Sequence, residues 1–536
     1  MQSLQSLDYF VFLFYFVIVA GYGYWIYQKK KSENASSTDF FLAEGSLTWW
    51  AIGASLIASN ISAEQFVAMA GDGFKMGLAI STYEWMAAAT LVVVAVFFMP
   101  IYLKNRIFTM PQFLNTRYNS TVSLIMAVFW LILYILVNLT SIVYLGALAV
   151  SGISGLDFQL CAAGLAVFAI CITLGGMKVI GYTDVIQVVF LIIGGLATTY
   201  IALNLVSSEH GVEGIMAGLK TMTTNSADHF HMIFPKGNEH YMSLPGLTVL
   251  FGGMWIVNLN YWGCNQYITQ RALGADLKTA RRGILFAAFL KLLMPIIVVL
   301  PGIAAYTLHQ KGLFQAEMLN ASGVIASDKA YPVLLNLLPV GLKGLSFAAL
   351  TAAIVASLAG KANSIATIFT LDIYKNYINK NASEQKLVWI GRIAIIVSML
   401  MGVGIILTDY FAQIMEQGGF TFIQKMTGLI SPGIFAIFIL GFFWKRTNSA
   451  GALFAIIGGF MISLYMHFYM DYIPFLDRMG WVFVCCVAVM VLLGLVLKDE
   501  KKGLAIDVQM FKVDKVFAVL ATLICAILLG LYTYFW

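Results

Sequence analysis

The stretch WWAIGASLIASNISAEQFVAMAG, Trp49 to Gly71, is long and apolar enough to cross a bilayer, yet it carries SNISAEQ at its centre. Ser59, Asn60, Ser62, Glu64 and Gln65 fall within seven residues. Leaving one such group unpaired in hydrocarbon costs about 2–7 kcal/mol. Non-helical backbone at membrane depth is tolerated only where it is buried in protein or lines a wet cavity. The stretch therefore predicts a helix broken near Ala58 to Ile61, with exposed carbonyl oxygens suited to a small hard cation and Gln65 on the half-helix beyond. Polar and small residues also hold membrane helices together, so one interrupted span leaves both readings open.

The rest of the chain supplies the context. Of its 536 residues 60% are hydrophobic and 11% charged, with mean hydropathy +0.85, which places it among polytopic all-α membrane proteins. Fourteen apolar segments have spanning length, near 9–27, 48–73, 78–103, 121–151, 157–177, 183–206, 246–270, 282–308, 333–368, 386–408, 420–444, 450–470, 477–497 and 513–535. Basic clusters follow the odd-numbered segments: Lys29 to Lys31, Lys104 with Arg106, Lys178, Arg271 to Arg282, Lys375 with Lys380, Lys445-Arg446, and Lys498 with Lys501-Lys502. Those loops are expected on the cytoplasmic side and both termini outside. MQSLQSLDYF lacks the leading positive charge of a signal peptide, so residues 1–32 read as an extra first helix with a basic cytoplasmic loop. The net charge of +6 belongs to anchors at the lipid headgroups; no basic patch for nucleic acid is present. The six cysteines read as small core residues, and His229, His231 and His240 as a solvated outer loop rather than a metal site.

The seventh segment repeats the anomaly. In MWIVNLNYWGCNQYITQ, residues 254–270, Asn258, Asn260, Tyr261, Gly263, Asn265 and Gln266 interrupt the apolar run. Segments two to six (46–206) and seven to eleven (246–446) each hold five helices and open on an interrupted one. Five is odd, so the two sets enter the membrane from opposite sides, as inverted repeats do, with a substrate site where the broken helices meet. Residues 447–536 add three C-terminal helices.

Ionisable groups inside spans mark function by default. Glu84, Asp184, Lys291 and Lys361 are the candidates, with Glu64 in the first break. Lys291 needs an acceptor, and Glu84 is the expected one, directly or through a ligand. Gln65, Asn258 and Gln424 each offer a donor and an acceptor, and Tyr261 and Phe420 add flat apolar faces. A neutral polyhydroxylated ring satisfies that set, and so does a zwitterionic amino acid. Ala353, Ser357 and Lys361, four apart, share one helix face.

At these residues the chain resembles the sodium/solute symporter family, and within it the bacterial galactose- and glucose-transporting branch. The likeness runs almost end to end and is densest in ASLIASNISAEQF, TYEWM, VNLTSIVYLG, TDVIQV, NQYITQR, FAAFLKLLMP, VVLPGIAAY, TIFTLDIYK and TGLISPGI. It implies a five-plus-five inverted-repeat fold, alternating access and a bacterial inner-membrane location. By resemblance the sugar contacts fall on Gln65, Glu84, Asn258, Lys291 and Asn60, with Gln424 nearby. Tyr261 is the implied inner gate, and Met69, Tyr83 and Phe420 the outer one. Sodium, the coupling ion, falls on Ala58, Ile61, Ala353 and Ser357, with Asp184 on its inner route; no other metal, cofactor or obligate protein partner is implied.

Three residues depart from that pattern. Ala87 stands where the sugar transporters have a contacting serine, and Ala356 replaces one of two sodium-site serines. Lys361 takes an apolar residue's place one turn beyond Ser357, where it either lines the wet inner vestibule or pairs with Asp184 and weakens or partly replaces sodium. Ala359 and Gly360 offer no side-chain oxygens for a second ion, so one sodium is expected. The rival readings are a symporter for another small solute such as an amino acid or carboxylate, a solute sensor without transport, and an enzyme. For an enzyme, Glu84 and Lys291 lack an accompanying nucleophile or metal cluster.

Overall fold

A computed structural model describes residues 4–30, 40–41, 47–319, 323–408, 419–497 and 503–536. Lys31, Lys498, Lys501 and Lys502 of the expected cytoplasmic clusters lie outside these. The described chain is helical with no strand, and its one isolated β-bridge joins Leu319 and Ile325.

Each of the fourteen apolar segments is represented by helix. Ten helices among the described residues are long and apolar enough to cross a membrane, or eleven counting a bent pair. The difference has local causes. Segments two and three run on as Glu64–Lys104, through a sharp bend where Gly77 takes φ +70°. The fifth is the short helix Phe158–Thr173, the seventh is split into Gly253–Gly263 and Gln266–Leu273, and the eleventh bends by 52° between Phe420–Gly428 and Ser431–Phe443. This last break was not expected; Pro432, at the start of the second piece, has no N–H to continue the first. The ninth segment is likewise shifted: Ala330–Asn336 is a separate helix, and Leu342–Thr367 starts after Gly341 at φ +87°.

The helix Leu342–Thr367 is the centre of the bundle, buried along most of its length. It packs most extensively on Gly176–Glu209, at Gly194, where a Cβ would lie 2.7 Å from that of Ala349. The helix Leu277–Gln310 crosses Ala70–Met76 as closely, for a Cβ on Gly302 would meet the Ala70 carbonyl. Pro295 and Pro301 lie inside that helix, and its carbonyls at Leu292 and Ile296 accept from Trp85 Nε1 (3.4 Å) and Thr199 Oγ1 (2.7 Å).

Loop contacts divide the molecule into two ends. At one, Arg117 donates to the carbonyls of Gly441 and Trp444, Arg281 to those of Met510 and Lys512, and Asn105 Nδ2 to Ala505. At the other, Met232 N–H bonds the Phe535 carbonyl, and Thr82 bonds the Tyr532 hydroxyl. The first helix, Ser6–Lys30, is fixed there too: the Asp8 carboxylate accepts from Gly341 N–H (2.7 Å) and Gly344 N–H (2.9 Å) at the start of Leu342–Thr367.

The histidine-bearing loop is not simply solvated. His229 is buried, stacks on Tyr306 at 3.7 Å, and its Nε2 lies 3.0 Å from the Phe74 carbonyl. His240 Nε2 lies 2.9 Å from the Lys75 carbonyl. Two histidines thus cap the end of Ala70–Met76. The cysteines divide as well: Cys161, Cys264 and Cys486 are buried, whereas Cys171, Cys485 and Cys525 lie on the outer surface.

Candidate functional site at the helix breaks

The helix Trp49–Asn60 ends because Ile61 turns extended, at φ −80° and ψ 113°. The chain restarts as a helix through a reciprocal cap written in Ser62-Ala63-Glu64-Gln65. Gln65 Oε1 accepts the Ser62 N–H at 2.9 Å, while Ser62 Oγ accepts the Glu64 N–H at 3.1 Å. The Gln65 oxygen is therefore occupied locally, and its amide NH2 remains for a ligand. The released carbonyls converge on one hydroxyl: Ser357 Oγ donates to Ser59 O (2.8 Å), with Ala58 O and Ile61 O each at 3.4 Å. Ala353 lies one turn away on the same buried face as Ser357, and Ala356 adds no oxygen.

At the second break, Asn265 caps the restart by accepting the Tyr267 N–H at 3.1 Å, and it also takes a bond from the Tyr134 hydroxyl. The Gly263 carbonyl is held by Tyr102 at 2.6 Å.

Between the breaks lies a cavity of about 80 Å³. Asn60, Gln65, Glu84, Asn258, Tyr261, Lys291 and Gln424 all line it, so the structure brings together every residue expected to contact substrate. Lys291 donates to both Glu84 and Asn60, forming a direct ion pair. Asn60 Nδ2 in turn reaches the Tyr261 hydroxyl at 3.0 Å, joining the two broken helices. Asn258 Nδ2 returns to the Met254 carbonyl at 3.1 Å, leaving its oxygen for a ligand. Ala87 is on the wall. So is Asn260, which the seventh segment displayed without a role and which bonds Ser431 at the third break (3.0 Å).

Tyr83 and Phe420 close the cavity edge to face, 5.1 Å apart at 89°. Thr421 beside them donates to Asp72 at 3.0 Å. Met69, expected at the same gate, is buried and does not line the cavity.

The expected Lys361–Asp184 pair does not form. Asp184 accepts from Ser55 Oγ at 2.5 Å, and Ser55 also receives Arg271 Nε on its carbonyl (3.1 Å) and hydroxyl (3.0 Å). Arg271, assigned from sequence to a surface anchor cluster, is fully buried and is the cation beside Asp184. Its position directly after the second interruption was the signal that could have separated it from the loop. Lys361 instead faces the cavity and donates to Asn138 Oδ1 at 3.0 Å. Asn138 and Tyr267 were both missed.

Comparison with known proteins bears on the same residues. Residues 40–459 match the model of the sodium:solute symporter family. The chain is 45% identical to a sodium/glucose cotransporter of Vibrio parahaemolyticus, an alignment covering 100% of this chain and 99% of that one. It is 34% identical to human sodium/myo-inositol cotransporter 2 over 86% of this chain and 70% of the relative. Among solved structures it superposes on a substrate-bound, outward-open sodium-coupled sialic acid symporter, with TM-score 0.78 and 22% identity, over 92% of this chain and 98% of that one. That likeness speaks for the fold.

Proposed function

The chain belongs to the sodium:solute symporter family, and from that premise we propose that it imports a neutral monosaccharide of the galactose or glucose kind together with sodium. Supporting the sugar is the donor and acceptor set around the cavity: the Glu84–Lys291 pair, the free ends of Gln65 and Asn258, and Gln424. A neutral ring can exchange hydroxyl contacts with a charge pair that stays paired. A charged ligand would have to break it, at the cost of an uncompensated buried charge. Supporting sodium are the carbonyls of Ala58, Ser59 and Ile61 gathered at Ser357, hard oxygen ligands that side-chain bonds have not exhausted.

In this reading the chain spans the bilayer fourteen times, with inverted repeats at 46–206 and 246–446, an added helix in 1–32 and three in 447–536. Both termini face outward from a bacterial inner membrane. The loop contacts support the alternation, since every tie named above joins loops that an odd–even count puts on one side. Sodium at the first break favours the outward-open state, and sugar enters past Tyr83 and Phe420. Movement of Tyr261 away from Asn60 then releases it inward. Each ligand shifts this equilibrium only by its differential affinity for the states.

The deciding experiment is uptake of labelled galactose into proteoliposomes under an inward sodium gradient and with choline instead. Accumulation only with sodium is expected. Uptake equal in both removes sodium coupling; none in either, with folded protein, removes the sugar.

A further inference from the structure

Lys361 stands where the sodium site, the cavity and the inner gate adjoin. It is buried on the central helix, one turn beyond Ser357. Its ammonium donates to Asn138 Oδ1 at 3.0 Å and lies 3.8 Å over the ring of Tyr267, with the rings of Tyr134 at 5.5 Å and Tyr261 at 5.9 Å. Tyr267, on the helix that restarts after the second break, therefore lies directly against the ammonium. Gly360 makes this closeness feasible, since a Cβ there would fall 2.9 Å from the Tyr267 ring and 3.2 Å from Ser59 Oγ.

The charges around Lys361 are few. Glu64 faces it from the restart of the first broken helix, lining the same cavity without an ion-pair contact, and the buried Glu64 Oε1 has no hydrogen-bond partner. Arg271 faces it from the second broken helix, 5.2 Å from the same Tyr267 ring, with Asp184 beyond. Asn138 and Tyr134, on the Leu133–Leu139 turn, are neutral. Of the carboxylates here, Glu84 is ion-paired with Lys291 and Asp184 has Arg271 beside it, while Glu64 faces Lys361 without touching it. A sodium ion at the Ala58–Ile61 carbonyls enters with an ammonium about one helical turn away on the same helix face as Ser357.

We infer that Lys361 is a cation built into the ion site, whose ammonium and a bound sodium ion oppose each other. This rests on the sodium site proposed above. Two unit charges at that separation in protein repel enough to lower sodium affinity by roughly tenfold or more. Coupling is reciprocal, so bound sodium eases the loss of the Lys361 proton to cavity water by the same factor. The protein thereby trades sodium against a proton at the turn where its sugar leaves.

The test is equilibrium sodium titration of purified full-length protein, read by tryptophan fluorescence from pH 6 to pH 10. Lys361→Met is expected to bind sodium about tenfold more tightly than wild type, independently of pH. Lys361→Arg, which keeps its charge over that range, is expected to bind weakly throughout. Wild type is expected to tighten as pH rises. A thermal melt shows each variant folded, and Lys361→Gln replaces the methionine variant if that one is not. Equal affinity in wild type and all folded variants at every pH overturns the inference. Ser357→Ala separates the two proposals: if it titrates like wild type, the sodium site itself is misplaced, whatever Lys361 does.

Discussion

The two broken helices look alike in sequence and differ in what they leave free. At the first, the amide ends are satisfied by a cap within Ser62 to Gln65, and three carbonyls meet at a single hydroxyl. At the second, Tyr102 holds the Gly263 carbonyl, and Asn265 is shared between Tyr134 and its own helix. One break gathers its carbonyls at a hydroxyl; the other has its carbonyl held by a tyrosine. Two similar backbone breaks can thus differ because neighbouring side chains hold the carbonyl of one and leave those of the other gathered. Asn60 is where they meet, taking Lys291 on its oxygen and giving Tyr261 its amide.

The comparison can be broken most forcefully at that meeting point. Lys291→Met leaves Glu84 buried and alone, and should cost about 3–5 kcal/mol of stability, seen as a lowered melting temperature together with lost sugar binding. A Glu84→Gln, Lys291→Met double variant should recover most of the stability and none of the binding.

Next in size is the first break. Ser357→Ala should weaken sodium by tenfold or more, measured as the sodium concentration for half-maximal uptake. Its counterpart at the second break, Tyr102→Phe, should leave that concentration unchanged and cost about 1–2 kcal/mol of stability, since it strands the Gly263 carbonyl. A similar sodium effect from both would erase the distinction. Ala356→Ser sharpens it by adding one oxygen beside Ser357, and should tighten sodium by up to about tenfold. The smallest effect belongs to the cap. Ser62→Ala should cost about 1 kcal/mol by stranding the Glu64 N–H, and, since the residue-62 N–H still holds the Gln65 oxygen, should leave sugar and sodium affinity nearly unchanged.

Much of this was legible because polar residues inside an apolar run demand an explanation. SNISAEQ and NLNYWGCNQ located the two breaks, and residues drawn from segments two, three, seven, eight and eleven do line one cavity. The capping pattern Ser62 to Gln65 was also present, but Gln65 read as a ligand because the depth of the segment suggested one. The third break was not legible: Leu429 and Ile430 are apolar, so the bend carried no polar signature, and only Pro432 hinted at it. Pairing was the other blind spot. Helical spacing puts Ser357 and Lys361 on one face but says nothing of which distant residue meets them. Arg271, adjacent to a basic loop, passed for part of it although it sits fully buried against Ser55.

The hold of Asp8 on Gly341 and Gly344 has a consequence for how the protein is made. The carboxylate leaves the ribosome first, and its partners follow 333 and 336 residues later. At about 5–20 residues per second that is an interval of tens of seconds. The first helix therefore enters the membrane long before its berth exists, and its docking belongs to the late stage of assembly. Newly made chains should pass through a period in which this helix is reachable by protease or thiol label, ending as the central helix arrives.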